Sequence, residues 1–303
     1  MTTPHHQGFP RAGLLVFIGL CLVWGSTWLA IKVSLESIPP LLGVALRFTL
    51  SAACLVLIAI LRRDRWPRGV RTHVQLAAVG VLSFCLSYCF VYLGECHISS
   101  GLTSILFATF PFFIAIVSHF LLPGERLTWW KMAGVIVGFA GVVVLFQGDL
   151  RAGSGSAAGI ALVVGGAFAS ALSNVYGKPI LQRLGVIPFT TAGMLYGSAA
   201  DWAAWLVFER GQPARWTAAG IASTVYLALF GTVATFLGYF WLLQRTDATR
   251  LSLFTFITPV VAMAAGGLFL GEELSPWLFS GSALILAGIL LTLRRFRRDD
   301  GKS

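Results

Sequence analysis

The chain has 303 residues, 57% of them apolar and only 11% charged, whereas a soluble domain is about a quarter charged. One helical crossing of a bilayer takes about 20 apolar residues, so ten crossings would occupy about 200 positions and leave about nine residues for each tail or connection, which excludes a folded domain outside the membrane. A net charge of +10 would suggest nucleic acid as the partner of a soluble protein; here it records orientation in the bilayer, and no nucleic-acid partner is expected.

Apolar runs of spanning length fall at 13–33, 38–61, 73–93, 98–121, 131–147, 157–177, 189–208, 218–242, 251–270 and 277–293. They predict an all-α polytopic membrane protein with ten transmembrane helices. Barrel strands would be about ten residues long and alternate in polarity, and runs such as Gly134 to Phe146 do not alternate.

The first run follows Arg11 as a signal peptide would, but Trp24 and Trp28 stand where small residues would mark a cleavage site, so it reads as a retained helix. Trp24 and Thr27 give it aromatic and polar surface. In the second run Arg47 lies about nine residues deep, where a charge costs about 2.5–3.5 kcal/mol on insertion scales and is not expected to face lipid. It reads either as an architectural partner of backbone carbonyls or a nearby acid, or as an attractor of an anionic substrate group.

On the third run Phe84, Tyr88 and Tyr92 recur every four residues and share one face. Glu95 continues that face and, beside His97, reads as an exposed loop pair or as a gating or proton-linked group. In the fourth, Thr103, Ser104, Phe107 and Phe110 precede Pro111; in the ninth, Thr255 and Phe256 precede Pro259. These prolines are expected to interrupt their helices and free carbonyls at matching places, a pointer to a transporter site. The fifth run carries a GxxxG at Gly134 and Gly138. With Gly141, Gly281 and Gly288 it is expected to pack the fifth and tenth helices each against its own half, a homodimer contact being the other use of such a stripe.

The sixth run offers Asn174 and Tyr176, and the eighth offers Thr232, Thr235 and Tyr239. Asp201, between Ala200 and Trp202 in the seventh, reads as a helix-packing hydrogen bond, a shallow position or a proton-coupling site. Trp24, Thr27, Tyr88, Tyr92, Thr103, Phe107, Phe110, Asn174, Tyr176, Thr235, Tyr239 and Phe256 are together expected to wall an amphipathic cavity. Such walls suit a small organic solute rather than a bare ion, which needs rings of oxygen ligands. Cys21, Cys54, Cys85, Cys89 and Cys96 are odd in number and read as buried small side chains, forming neither a disulfide framework nor a metal site.

Ten crossings return both termini to one side. That side would carry 17 of the 22 Lys and Arg, from Arg11 and the arginines of 62–71 to the C-terminal cluster, and the other would receive Lys32, Arg151, Arg210 and Arg215. The bias places both termini in the cytoplasm. Landmarks also recur at an offset of about half the chain: Pro111 and Pro259, Gly124-Glu125 and Gly271-Glu272, Trp130 and Trp277, Gly134 and Gly281, Gly141 and Gly288. Lys32 and Lys178 form a weaker echo. The expected unit is five helices repeated twice, the second copy inverted because five is odd, over 12–148 and 157–294.

WGSTWLAIK at 24–32, PPLLGVALRF at 39–48 and the two Gly-Glu segments resemble the EamA-type branch of the drug/metabolite transporter superfamily across nearly the whole chain. The resemblance implies a ten-helix carrier of a bacterial or archaeal cytoplasmic membrane, often an exporter of amino acids or other small metabolites. It also implies a central cavity lined mainly by helices 1, 3, 4, 6, 8 and 9, with helices 5 and 10 at the periphery. SALSNVYGK occupies the second-half place of WGSTWLAIK, so the two halves are not expected to line the cavity alike.

The expected function is secondary transport by alternating access, with efflux of a small organic metabolite preferred and proton-driven uptake as the variant. A membrane enzyme would need a nucleophile, base or metal cluster. His73, His97 and His119 lie on or near different helices without a histidine four residues on, and no phosphate loop ending in GK[ST] occurs. No cofactor is expected, and a channel would need a filter-like segment that is not evident.

Overall fold

The computed structural model describes residues 11–121, 128–152, 157–243, 254–271 and 276–293. Among these residues the chain is helical almost throughout and contains no strand, as the unbroken apolar runs require: in hydrocarbon every backbone amide must find its partner inside its own segment. We number the helices α1 (Arg11–Leu35), α2 (Pro40–Leu61), α3 (Val70–Glu95), α4 (Ser100–Leu121), α5 (Trp129–Ala152), α6 (Ala157–Leu184), α7 (Val186–Phe208), α8 (Ala218–Leu242), α9 (Phe254–Ala265, extended by a π turn over Gly266–Leu270) and α10 (Pro276–Leu293).

Six of these, α1, α2, α3, α4, α6 and α8, are long and apolar enough to cross a membrane, and Trp129–Leu145, Ile257–Leu270 and Pro276–Leu291 form shorter apolar helices. α7 has the length, but Thr190, Thr191, Ser198 and Asp201, all buried, dilute its apolar character.

Four helices are irregular, α9 through the π turn already given. α3 passes through a π turn at Val81–Leu86 and α8 through another at Leu229–Ala234. α4 breaks at Ala108 and Thr109, whose amides bond back to Ser104, Ile105 and Leu106, before restarting at Phe110. Pro111 is then the second residue of a new helical segment, where its missing N–H costs nothing. Pro259 behaves otherwise: helix α9 runs through it from Phe254 to Ala265. The expected matching interruption is therefore present in α4 and absent at Pro259.

The glycine stripe acts only in part as expected: Gly138 faces its own half, where a Cβ would run into the Phe112 ring of α4, but other members face the opposite half. α5 and α10 pack chiefly on each other. A Cβ on Gly288 would stand 2.5 Å from the Gly134 carbonyl and 2.6 Å from the Gly138 nitrogen, and one on Gly141 would stand 2.7 Å from the Gly281 carbonyl. Small residues on both helices let the backbones meet.

Four apolar clusters hold the helices together. The largest joins α1, α2, α3, α7 and α8 through Ile31, Phe48, Leu55, Phe84, Met194 and Leu227. Another joins α4, α5, α6 and α10 around Leu106, Phe112, Val163 and Ile285. Phe84 and Phe48 lie with ring centres 5.4 Å apart, so the third-helix aromatic stripe is split, with its first member serving the core.

Candidate functional site

A cavity of about 100 Å³ lies where α1, α3, α4, α6, α8 and α9 converge. α1 supplies Trp24, Thr27, Trp28 and Ile31, which share one helical face, and α3 supplies Tyr88 and Val91. Ser104, Phe107, Ala108 and Phe110 come from the broken region of α4. Ser170 and Asn174 of α6, Phe236 and Tyr239 of α8, and Phe254 and Thr258 of α9 complete the wall.

The aromatic lining forms two banks. Trp24 contacts Phe236, Tyr239 and Phe254 at ring-centre distances of 6.0, 5.5 and 4.8 Å. On the other side Trp28 lies 5.4 Å from Phe107, which stacks at 6.2 Å on Phe110. Phe107 ends the first segment of α4 and Phe110 begins the second, so the break lies between them. Close approach of α1 and α9 relies on Gly25, where a Cβ would stand 2.5 Å from the Val261 side chain.

Polar groups are few and divide by whether the protein uses them. Thr27 donates to the Trp24 carbonyl at 2.7 Å, and the Asn174 amide donates to the Ser170 carbonyl at 3.0 Å. Trp28 Nε1 and Ser104 Oγ are buried without a hydrogen-bond partner among the described residues. A buried donor left unpaired costs about 1–3 kcal/mol, so these two atoms are the cavity's free handles for a polar ligand.

Of the residues expected to wall the cavity, Trp24, Thr27, Tyr88, Phe107, Phe110, Asn174 and Tyr239 do so, and Phe256 lies outside the described side chains. Tyr92 is 1% exposed and contacts Arg47 behind the wall. Thr103 donates to the Ser99 carbonyl and Thr235 to the Thr232 carbonyl, each closing its own helix, while Tyr176 points outward, 39% exposed. Trp28, Ile31, Val91, Ala108, Ser170, Phe236, Phe254 and Thr258 were not foreseen. Trp28 and Ile31 continue the face of Trp24 at steps of four and three, a periodicity already present in the sequence.

The charged residues sit outside this cavity. Arg47 is 1% exposed. Its Nε donates to Thr232 Oγ1 at 2.9 Å, its Nη2 to the Gly231 carbonyl at 3.2 Å, and its guanidinium lies 4.7 Å from the Tyr88 ring centre. It thus satisfies a carbonyl in the π turn of α8 and backs the cavity through Tyr88. Glu95 is fully buried at the end of α3, a correction to the exposed loop pair, while His97 is exposed. Lys32 Nζ donates to the carbonyls of Glu95 at 2.7 Å and Ile98 at 2.9 Å, a cation at a helix C-terminus where the dipole favours it. Its echo Lys178 is exposed.

Asp201 is fully buried and accepts from Cys89 Sγ at 3.6 Å; Cys85 Sγ stands 4.0 Å from Cys89 Sγ. The expectation of cysteines as scattered buried small residues with no ligand cluster thus needs correction. Two thiols and a carboxylate converge, and Cys96 is exposed. The spacing of Cys85 and Cys89 was legible, but the acid arrives from a helix more than a hundred positions away. Glu125 and Glu272 of the repeated Gly-Glu segments lie outside the described residues.

The sequence profile of the EamA-like transporter family matches residues 11–147 and again 157–294. A protein of Archaeoglobus fulgidus described as an uncharacterized transporter is 32% identical, over 90% of this chain and 95% of its own. One from Salmonella typhimurium described as a probable amino-acid metabolite efflux pump is 29% identical, over 95% of this chain and 96% of its own. A solved crystal structure, 22% identical, superimposes with a TM-score of 0.66 over 96% of this chain and 99% of that one, a likeness of fold.

Proposed function

The chain belongs to the EamA-like transporter family, and from that premise we propose that it is a secondary carrier which exports a small organic metabolite, amino-acid-like or drug-like, by alternating access. In this reading ten helices cross the cytoplasmic membrane of a bacterium or archaeon, with both termini in the cytoplasm, as two inverted five-helix units.

The observation that carries the proposal is the cavity, walled by aromatic rings from both halves of the sequence, with Trp28 Nε1 and Ser104 Oγ offering hydrogen bonds that nothing among the described residues takes. An indole N–H and a hydroxyl between aromatic banks suit a molecule with one apolar part and one carbonyl or carboxylate.

The inverted-repeat reading draws support from the packing. Exchanging α1 with α6, α2 with α7, α3 with α8, α4 with α9 and α5 with α10 maps the most extensive contacts between halves onto one another. α3 on α6 answers α1 on α8, α4 on α6 answers α1 on α9, and α3 on α7 answers α2 on α8. The π turns at Val81–Leu86 and Leu229–Ala234 lie at the same offset as Pro111 and Pro259. Such a seam of like halves can open to either side in turn.

The test is counterflow in liposomes containing the purified protein, using labelled amino acids and toxic analogues. Saturable counterflow that falls at least about tenfold in Trp24→Ala and Trp28→Phe is the expected result; ten-fold corresponds to about 1.4 kcal/mol. Chemical turnover without flux, or flux that does not saturate, refutes the carrier. Cells overexpressing the protein should accumulate less of the substrate; greater accumulation of every compound tested refutes the export direction.

A further inference from the structure

The π turns of α3 and α8 meet opposite chemistry. At Leu229–Ala234 of α8 the neighbouring helix α2 presents a cation, and Arg47 donates to the Gly231 carbonyl and to Thr232. At Val81–Leu86 of α3 the neighbouring helix α7 presents an acid, and Asp201 faces Cys85 inside the turn and Cys89 just beyond it. Asp201 is 0% exposed, and Cys85 and Cys89 are 9% and 6% exposed. Asp201 Oδ2 has no hydrogen-bond partner among the described residues. A buried carboxylate oxygen without a donor demands an explanation, and here it belongs to a side chain whose other oxygen, Oδ1, already faces the Cys89 sulfur.

We propose that Cys85, Cys89 and Asp201 form a binding site for a single borderline-soft divalent cation of the zinc class, clamped between α3 and α7 and separate from the aromatic cavity. In tetrahedral zinc sites the metal lies about 2.3 Å from thiolate sulfur and about 2.0 Å from carboxylate oxygen, so two sulfurs stand about 3.8 Å apart and a sulfur and an oxygen about 3.5 Å apart. The corresponding distances here are 4.0 Å between the sulfurs and 3.6 Å from Cys89 Sγ to Asp201 Oδ1, and all three ligand atoms lie within 4.8 Å of one another.

Spacing by four residues keeps both thiols on one side of α3, turned about a quarter of the way round the helix from Tyr88, which lines the cavity. Binding replaces the thiol protons, which leave to solvent as the cation enters. Three protein ligands leave the fourth tetrahedral position open. Hard cations such as Mg²⁺ and Ca²⁺ prefer all-oxygen shells and are excluded by the two sulfurs.

The experiment uses the full chain, reduced, in detergent and without a histidine tag. Equilibrium dialysis against Zn²⁺ should load one ion that the Cys85→Ser/Cys89→Ser double variant does not bind, while Asp201→Asn weakens it about tenfold and Cys54→Ser leaves it unchanged. Wild-type protein alone gives a second readout that does not depend on any variant folding: Co²⁺ should develop a thiolate-to-metal charge-transfer band with tetrahedral visible absorption, bleached by Zn²⁺. Equal Zn²⁺ uptake by the wild type and the double variant, or Co²⁺ uptake without a thiolate band, overturns the proposal. Both readouts are of binding, so they stand or fall independently of what the carrier moves.

Discussion

Arg47 shows how one residue can be forced into a single role. A guanidinium inside the bilayer must be surrounded by acceptors, and the π turn of α8 supplies one by freeing the Gly231 carbonyl while Thr232 Oγ1 supplies another. Between the two roles open to it, the architectural one accounts for its contacts, since its Nε and Nη2 already have partners and it is sealed behind Tyr88. Charge-assisted hydrogen bonds of this kind contribute about 1.5–3 kcal/mol each. Arg47→Ala should therefore cost about 3 kcal/mol of stability and lower the thermal inactivation temperature of purified protein. Arg47→Lys should recover only part of that loss, because a point charge cannot reach Thr232 and Gly231 with one planar fork. A variant as stable as the wild type but dead in transport would instead assign Arg47 to the substrate.

At the scale of elements, two devices bind helices that are far apart in sequence. Glu209, at the end of α7, accepts at 3.0 Å from the Leu42 amide in the first turn of α2, and it is 4% exposed. A carboxylate there meets both an orphan amide and the positive end of the helix. Glu209→Ala should destabilise by about 1–2 kcal/mol, measured as a drop in the detergent concentration that unfolds half the protein. The second device is the α5–α10 interface, where the atoms opposite Gly288 are backbone and cannot swing away. Gly288→Val should force the helices apart at about 1–3 kcal/mol. A thermal shift for Gly288→Val no larger than for a lipid-facing substitution would show that the pair does not hold the fold. The position of both helices at the edge of the bundle, away from the cavity, was given by resemblance, but their mutual contact was not. Glycine spacing shows that a helix face is small and leaves open which other face fits it.

For the whole molecule, the proposed topology makes a direct demand. Reporter fusions or impermeant labelling of single cysteines at Met1 and Ser303 should place both on the cytoplasmic side, and a cysteine at Arg151 on the opposite side. Opposite placement of the two termini would remove the inverted repeat and, with it, alternating access about a seam between halves. The membrane setting itself does not depend on that outcome, since six helices are long and apolar enough to span and the family is one of transporters.

Apolar content, run length and the recurrence of landmarks depend only on which residues follow which. They were enough to determine an all-helical membrane protein and the approximate ends of its helices, while the motifs at 24–32 and 39–48 carried the family resemblance and the polar and aromatic positions gave part of a cavity wall. Tertiary structure decided the rest. It took Tyr92, Thr103 and Thr235 out of the cavity and into internal hydrogen bonds, and brought in Ser170 and Thr258 from distant helices. It also set Asp201 beside Cys85 and Cys89. The reason is geometric: a helical period fixes directions around one axis, whereas a site is made where several axes meet, and their relative rotation comes from packing that no single segment encodes.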